Sequence, residues 1–511
     1  MRPVLRSAPL LLVLLAACAP PLTPPPPLAP LAPPPVASAA PKLDAPVPPS
    51  ADDFRKTPPA AGPKAPFVAP VVLEERLPNG ILVRVSPRPG LPLVAMQLVL
   101  DRGASEGRPG LGAFVSTMLL AGGTKTRPAL VLADALDGLG ARYGASMDMD
   151  ATFVSAQCLS DKLPALLDLL ADVVKNPAFD AKELERERKK RLTSLAQEAD
   201  SPARVLGRRV AAALYPAGHP YASPLVGDEA AVKALSRADL VAFHRDHFAP
   251  DALTLVFAGD ISKERAVAEA TRVFGDLRGK AKARKVPAPP PDPARDAPRV
   301  ILVDRPGASQ STVAAALPGL PRNDPDFEAM RVLNTILGGQ FSSRLNLTLR
   351  EKHAYTYGAR SSFDTRRGVG PFTAGGAIVT DATEPAVKLL LEELTRIAKE
   401  PVSDEELADA KANLIDQLPG RFESAAATAG TVAELGIYGL PADDLAKRPE
   451  RIAAVSAADV LRVAQRALVA ERVRVVVVGD AAKIEAGLGR VGLGPVKRLD
   501  TPHATKPAAK K

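Results

Sequence analysis

Side chains able to ligate a metal or attack a substrate are few in these 511 residues, which hold five His and two Cys. His244 and His247 form His-x-x-His on a helix expected to begin at Ser236, so they share a face. A metal would need a third ligand, and only Asp246 is near in sequence. The pair is therefore read as structural. His219, in His219-Pro220-Tyr221, is read the same way, and His503 falls in the C-terminal tail. Cys158 lies in the apolar run from Ala151 to Leu159 and is expected as a buried strand residue, not a nucleophile.

Residues 110–124 read Gly-Leu-Gly-Ala-Phe-Val-Ser-Thr-Met-Leu-Leu-Ala-Gly-Gly-Thr. This stretch resembles the active-site helix of the pitrilysin/insulinase-type zinc peptidases, whose motif is His-x-x-Glu-His. The resemblance puts Ala113, Ser116 and Thr117 at the three chemical positions. Ala113 has no lone pair to offer, and Ser116 and Thr117 carry neutral hydroxyls, poor zinc ligands and weak bases. The family's third ligand, a Glu, lies about 77 residues after the second His. That spacing falls on Ser194, in a Glu187-Arg188-Lys189-Lys190-Arg191-Leu192-Thr193-Ser194 segment resembling the family's Glu-Arg-(apolar)-Leu-x-Glu. All four positions are substituted together, so no metal is expected in this chain.

Later in the chain, Leu337-Gly338-Gly339-Gln340-Phe341-Ser342-Ser343-Arg344-Leu345 runs into Leu349-Arg350-Glu351-Lys352-His353-Ala354-Tyr355-Thr356-Tyr357. It resembles the family's Gly-Gly…Ser-Arg-Leu…Leu-Arg-Glu-Lys…Tyr segment. The resemblance implies that Arg350 and Tyr357 face a zinc site across a closed chamber. A permanent cation and a phenol suit an oxyanion developing on a scissile carbonyl. His353 sits beside the pair, and His353-Ala354-Tyr355 replaces a family Gly. From residue types alone, Arg350 would be a surface helix residue and Tyr357 a strand core residue.

These positions need elements to hold them. The chain is 46% hydrophobic, but only 4% aromatic, so Ala, Leu and Val must do most of the packing. The net charge of +9 is dispersed, with no basic stripe interleaved with aromatics, which argues against nucleic acid. Arg2, Arg6 and the apolar run Leu10–Leu15 precede Leu15-Ala16-Ala17-Cys18, a secretory signal ending in what resembles a bacterial lipobox. That resemblance implies lipidation of Cys18. Ala19 in the next position favours the outer membrane of a bacterial envelope, facing the periplasm.

The expected organisation is a signal peptide at 1–17, a Pro/Ala-rich tether at 18–70, a first domain at 71–278, a linker at 279–297, a second domain at 298–485 and a basic tail at 486–511. The domains look duplicated. Ser236 and Ser456 each begin a capped helix that leads to an apolar strand ending at Gly259-Asp260 or Gly479-Asp480, at a constant offset of 220. The pattern is α+β: two homologous domains, each a largely antiparallel sheet with helices packed on one face, a half-clamshell in the resembled family. The resemblance implies a non-catalytic subunit of a heteromeric endopeptidase. Its partners would be a zinc-bearing homologous subunit, a peptide substrate and, through the lipid, a membrane. The alternative is a non-enzymatic envelope lipoprotein that binds extended peptides or scaffolds other proteins.

Overall fold

The computed structural model describes residues 62, 67–292 and 297–500. Cys18, the signal segment, most of the tether and His503 lie outside the described residues. The chain separates into residues 1–65 and a compact unit from Pro66 to Lys511, and only the latter is described below.

The first half builds a sheet from β1 (Leu73–Arg76), β2 (Leu82–Pro87), β3 (Leu93–Leu100), β4 (Arg142–Met147), β5 (Thr152–Leu159) and β6 (Leu253–Gly259), in the order β1-β2-β6-β3-β5-β4. The second half repeats it with β7 (Val300–Asp304), β8 (Gln310–Pro318), β9 (Thr356–Phe363), β10 (Pro371–Val379), β11 (Arg474–Gly479) and β12 (Val496–Leu499), in the order β12-β7-β11-β8-β10-β9. In each sheet the strand after the capped helix pairs parallel on one side and antiparallel on the other. Both capped helices, Arg237–His247 and Ala457–Ala467, close full capping boxes through Ser236/Asp239 and Ser456/Asp459. The halves differ at one rim: the first recruits an N-terminal strand, the second β12, paired parallel to β7. Val496–Leu499 therefore belong to the sheet, inside the segment expected as a tail. Their Val-Lys-Arg-Leu sequence shows no apolar run because the strand is largely solvated.

One face of each sheet carries its own half's helices, as expected. Val94, Met96, Leu98 and Leu100 of β3 face that core in the first half, and Val313, Ala315 and Leu317 of β8 do so in the second. The alternate residues point the other way and are not left open. On the first sheet Ala95, Val99, Val256 and Ala258 pack against Val432 and Leu435, which belong to the second half's helix Ala425–Tyr438. On the second sheet Ala314, Ala316 and Val476 pack against Val210 and Leu214 of the first half's helix Pro202–Leu214. The halves thus exchange a helix. The expected one-sided covering is two-sided, the second layer coming from the other half. Small residues make the approach close: a Cβ on Gly436 would already touch Thr254 at 3.4 Å.

The loop between β9 and β10 locks the two halves. Arg367 donates from its backbone to the Asp150 carboxylate (2.8 Å) and from its guanidinium to the carbonyls of Asp150 (2.5 Å) and Ile437 (2.6 Å), and it meets the Asp101 carboxylate. Tyr221 donates its hydroxyl to Asp150 (3.2 Å) and accepts from the backbone of Gly368 (3.2 Å). His219 bonds the Ala288 carbonyl through Nε2 (2.9 Å), tying the linker to the first half.

Candidate functional site

Helix α1 (Leu111–Ala121) spans the degenerate motif and is buried along almost its whole length. The Ser116 and Thr117 hydroxyls both donate back to the Ala113 carbonyl, at 3.0 and 2.9 Å. They are satisfied within their own helix. The turn after α1 is fixed by Asp172, which accepts from the hydroxyls of Thr124 (2.6 Å) and Thr126 (2.5 Å) and from Arg127 (2.8 Å).

Ser194 lies on helix α2 (Ala181–Glu198), whose N-cap is Asp180. It shares a cavity of about 150 Å³ with Phe114, Thr117, Glu187, Lys190 and Arg191. The spacing argument therefore brings the right helices together, but the donor set is wrong for zinc. Hydroxyls replace imidazole and carboxylate, and the one carboxylate, Glu187, is held by Lys190 at 2.7 Å and by Arg186 at 3.5 Å. Among the described residues there is no group of three or more His, Cys, Asp or Glu able to hold a metal ion. His244 bonds the Val174 carbonyl through Nε2 at 2.7 Å. His247 is buried against Phe243, and burial pulls its pKa down to about 4. Cys158 faces the first core from β5, and burial pushes its thiol up to about 11, so it stays protonated.

Arg350 and Tyr357 have a different setting. The segment that carries Arg350 is short α-helix at Arg344–Asn346 and π-helix over Leu347–Lys352, with another π turn at Thr335–Gly339. Gly338 makes this packing feasible, since a Cβ there would lie 2.2 Å from the Ser361 backbone nitrogen of β9. Arg344 is structural: its guanidinium grips Glu406 through two bonds of 2.6 and 2.8 Å. Arg350 projects from the wide turn, 4.7 Å over the Phe341 ring and 3.3 Å from the Glu351 carboxylate. Tyr357 is the second residue of the edge strand β9 and is 89% exposed, not core. Both line one cleft of about 960 Å³, floored by Gly375 and Gly376 of β10 and walled on one side by Pro202–Leu214. His353 does not line that cleft and stacks on Tyr355 at 5.2 Å. The backbone at the replaced family Gly keeps a left-handed turn, with Ala354 at φ 52°.

Two family models match successive parts of the chain: the insulinase (peptidase family M16) model over residues 93–229 and the peptidase M16 inactive-domain model over 234–414. The chain belongs to the insulinase, or M16, family. Relatives include an uncharacterized zinc protease of Mycobacterium bovis, 28% identical over 70% of this chain and 81% of its own length. The uncharacterized zinc protease YmxG of Bacillus subtilis is 24% identical over 68% and 83%. The crystal structure of a peptidase M16 inactive domain from Pseudomonas fluorescens superposes with a TM-score of 0.74 at 27% identity, over 80% of this chain and 98% of that one. A protease from Helicobacter pylori shares the fold at 20% identity, with a TM-score of 0.72 over 80% and 99%.

Proposed function

We propose that this chain is the non-catalytic subunit of a two-chain M16 endopeptidase, anchored by lipid at Cys18 to a bacterial outer membrane and facing the periplasm. A homologous partner would bring the zinc. This chain would complete the chamber and offer Arg350 and Tyr357 to the oxyanion of the peptide being cut. One observation carries the reading. The first-half site has lost its ligands as a set, while the second half presents an almost fully exposed phenol and an arginine at the rim of one large cleft. An exposed Tyr on a strand edge has no packing role in its own chain, and a second chain would give it one.

The test is reconstitution with a co-purifying M16 chain that carries His-x-x-Glu-His. Each chain alone should cleave nothing, and the pair should cleave peptides. Tyr357→Phe or Arg350→Ala should then lower kcat by roughly 100-fold, the usual effect of removing one oxyanion donor, with little change in KM. Full activity in the paired variants would sink the assignment of this pair.

A second reading is favoured by β9 itself. Among the described strands it has only β10 as a neighbour, so its open edge could take an extended peptide as an added strand without cleavage. Peptide binding by the isolated chain, with no zinc-bearing partner recovered from its native membranes, would favour it.

A further inference from the structure

A second cavity, of about 440 Å³, lies where the helix Ala425–Tyr438 meets the first sheet, away from the cleft of Arg350 and Tyr357. Four arginines from distant parts of the second half converge on it: Arg322, Arg331, Arg421 and Arg448. Their wall contains two carboxylates, Asp148 and Glu434. Asp148 is occupied by the backbone amides of Asp150 and Ala151, both at 2.7 Å. Glu434 is taken by Arg421 at 2.5 Å. Behind the wall, Glu328 binds Arg331 (2.9 Å), and Asp444 is shared by Arg448 (3.0 Å) and Arg451 (2.8 Å).

That accounting leaves Arg322 over. Among the described residues it has no carboxylate at ion-pair distance and no acceptor for its guanidinium. It is buried, 7% exposed, and stacked 3.7 Å from the centroid of Phe327 and 5.4 Å from that of Tyr438. The rings fix its plane and leave its N–H edge free. Arg448, 2% exposed, keeps its Nε without a hydrogen-bond acceptor, the nearest Glu328 oxygen standing 3.8 Å away. Buried guanidinium donors without acceptors are costly unless something supplies them. Burial, with the neighbouring Arg448, holds the Arg322 pKa below its ordinary value, against the opposing pull of Asp444, Glu434 and Glu328.

We infer that this cavity binds a phosphate-class anion, either free phosphate or the phosphomonoester group of a small molecule. Planar guanidinium forks match tetrahedral oxyanions through paired charge-assisted bonds. Arg322, the guanidinium those carboxylates leave over, supplies the positive charge such an anion needs. The cavity is larger than a phosphate, and Phe153 and Phe327 offer apolar surface to an organic remainder.

Isothermal titration of the full chain in chloride buffer, with inorganic phosphate and with adenosine 5′-monophosphate, tests this. One saturable site per chain is expected for at least one probe. Tighter binding of the nucleotide assigns the phosphomonoester, and equal or weaker binding assigns free phosphate. Arg322→Gln should weaken binding by roughly tenfold or more, the scale of one charged hydrogen bond. Arg421→Gln, at the half-buried rim, should weaken it severalfold and decides the matter if the first variant does not fold. No saturable heat from either probe at millimolar concentration, or unchanged affinity in the folded variants, overturns the inference.

Discussion

Two residues translate directly into measurements. His247 has a folded pKa of about 4, below its ordinary 6.5, because it is buried beside Phe243 and Arg102 repels its proton. The unfolded chain therefore gains a proton below pH 6.5 that the folded chain refuses. Stability is full above that pH and declines as it falls toward 4, by up to ~3 kcal/mol. Denaturant midpoints against pH should show this slope, and His247→Phe should flatten it. Ala354 is held at φ 52°, where a Cβ costs roughly 1–2 kcal/mol. Glycine gives back part of that through its freer unfolded state, so Ala354→Gly should raise stability by about 0.5–1 kcal/mol, read as a shifted urea midpoint. Ser116 and Thr117 show the limit of such reasoning in the other direction. Their types argue against zinc ligation from the sequence alone, but that both hydroxyls close onto the Ala113 carbonyl required the helix.

At the scale of elements, the exchanged helices carry the interface between halves. Leu435 is fully buried on the first sheet, so Leu435→Ala should cost about 2–5 kcal/mol. Calorimetry should show both halves melting together at a lower temperature. Much of the fold was legible beforehand: the capping boxes at Ser236 and Ser456 and the strands ending in Gly-Asp are local signals, and they repeat. The exchange was not. An apolar stripe such as Val205, Val210 and Leu214 announces that a helix is covered, never by which sheet. The π-helical frame of Arg350 was equally hidden, since no periodicity in Leu347–Lys352 marks a π turn. The arginine cavity draws on positions 322, 331, 421 and 448, whose convergence only the tertiary fold reveals.

At the scale of the whole molecule, the β9–β10 loop is the latch. The side chain of Arg367 is 7% exposed and serves Asp101, Asp150 and Ile437 at once. Arg367→Ala should cost about 3–5 kcal/mol, because it strands buried acceptors and a carboxylate, and should speed amide exchange at Asp150 and Ala151. The swapped helices have a further consequence. Each half completes its two-layer sheet only with a piece of the other, so connectivity through residues 279–297 matters less than proximity. A chain nicked by a protease near Pro289 should still sediment as one particle. The two halves expressed as separate polypeptides, 67–285 and 297–500, should be insoluble alone and reconstitute when made together, a natural split protein.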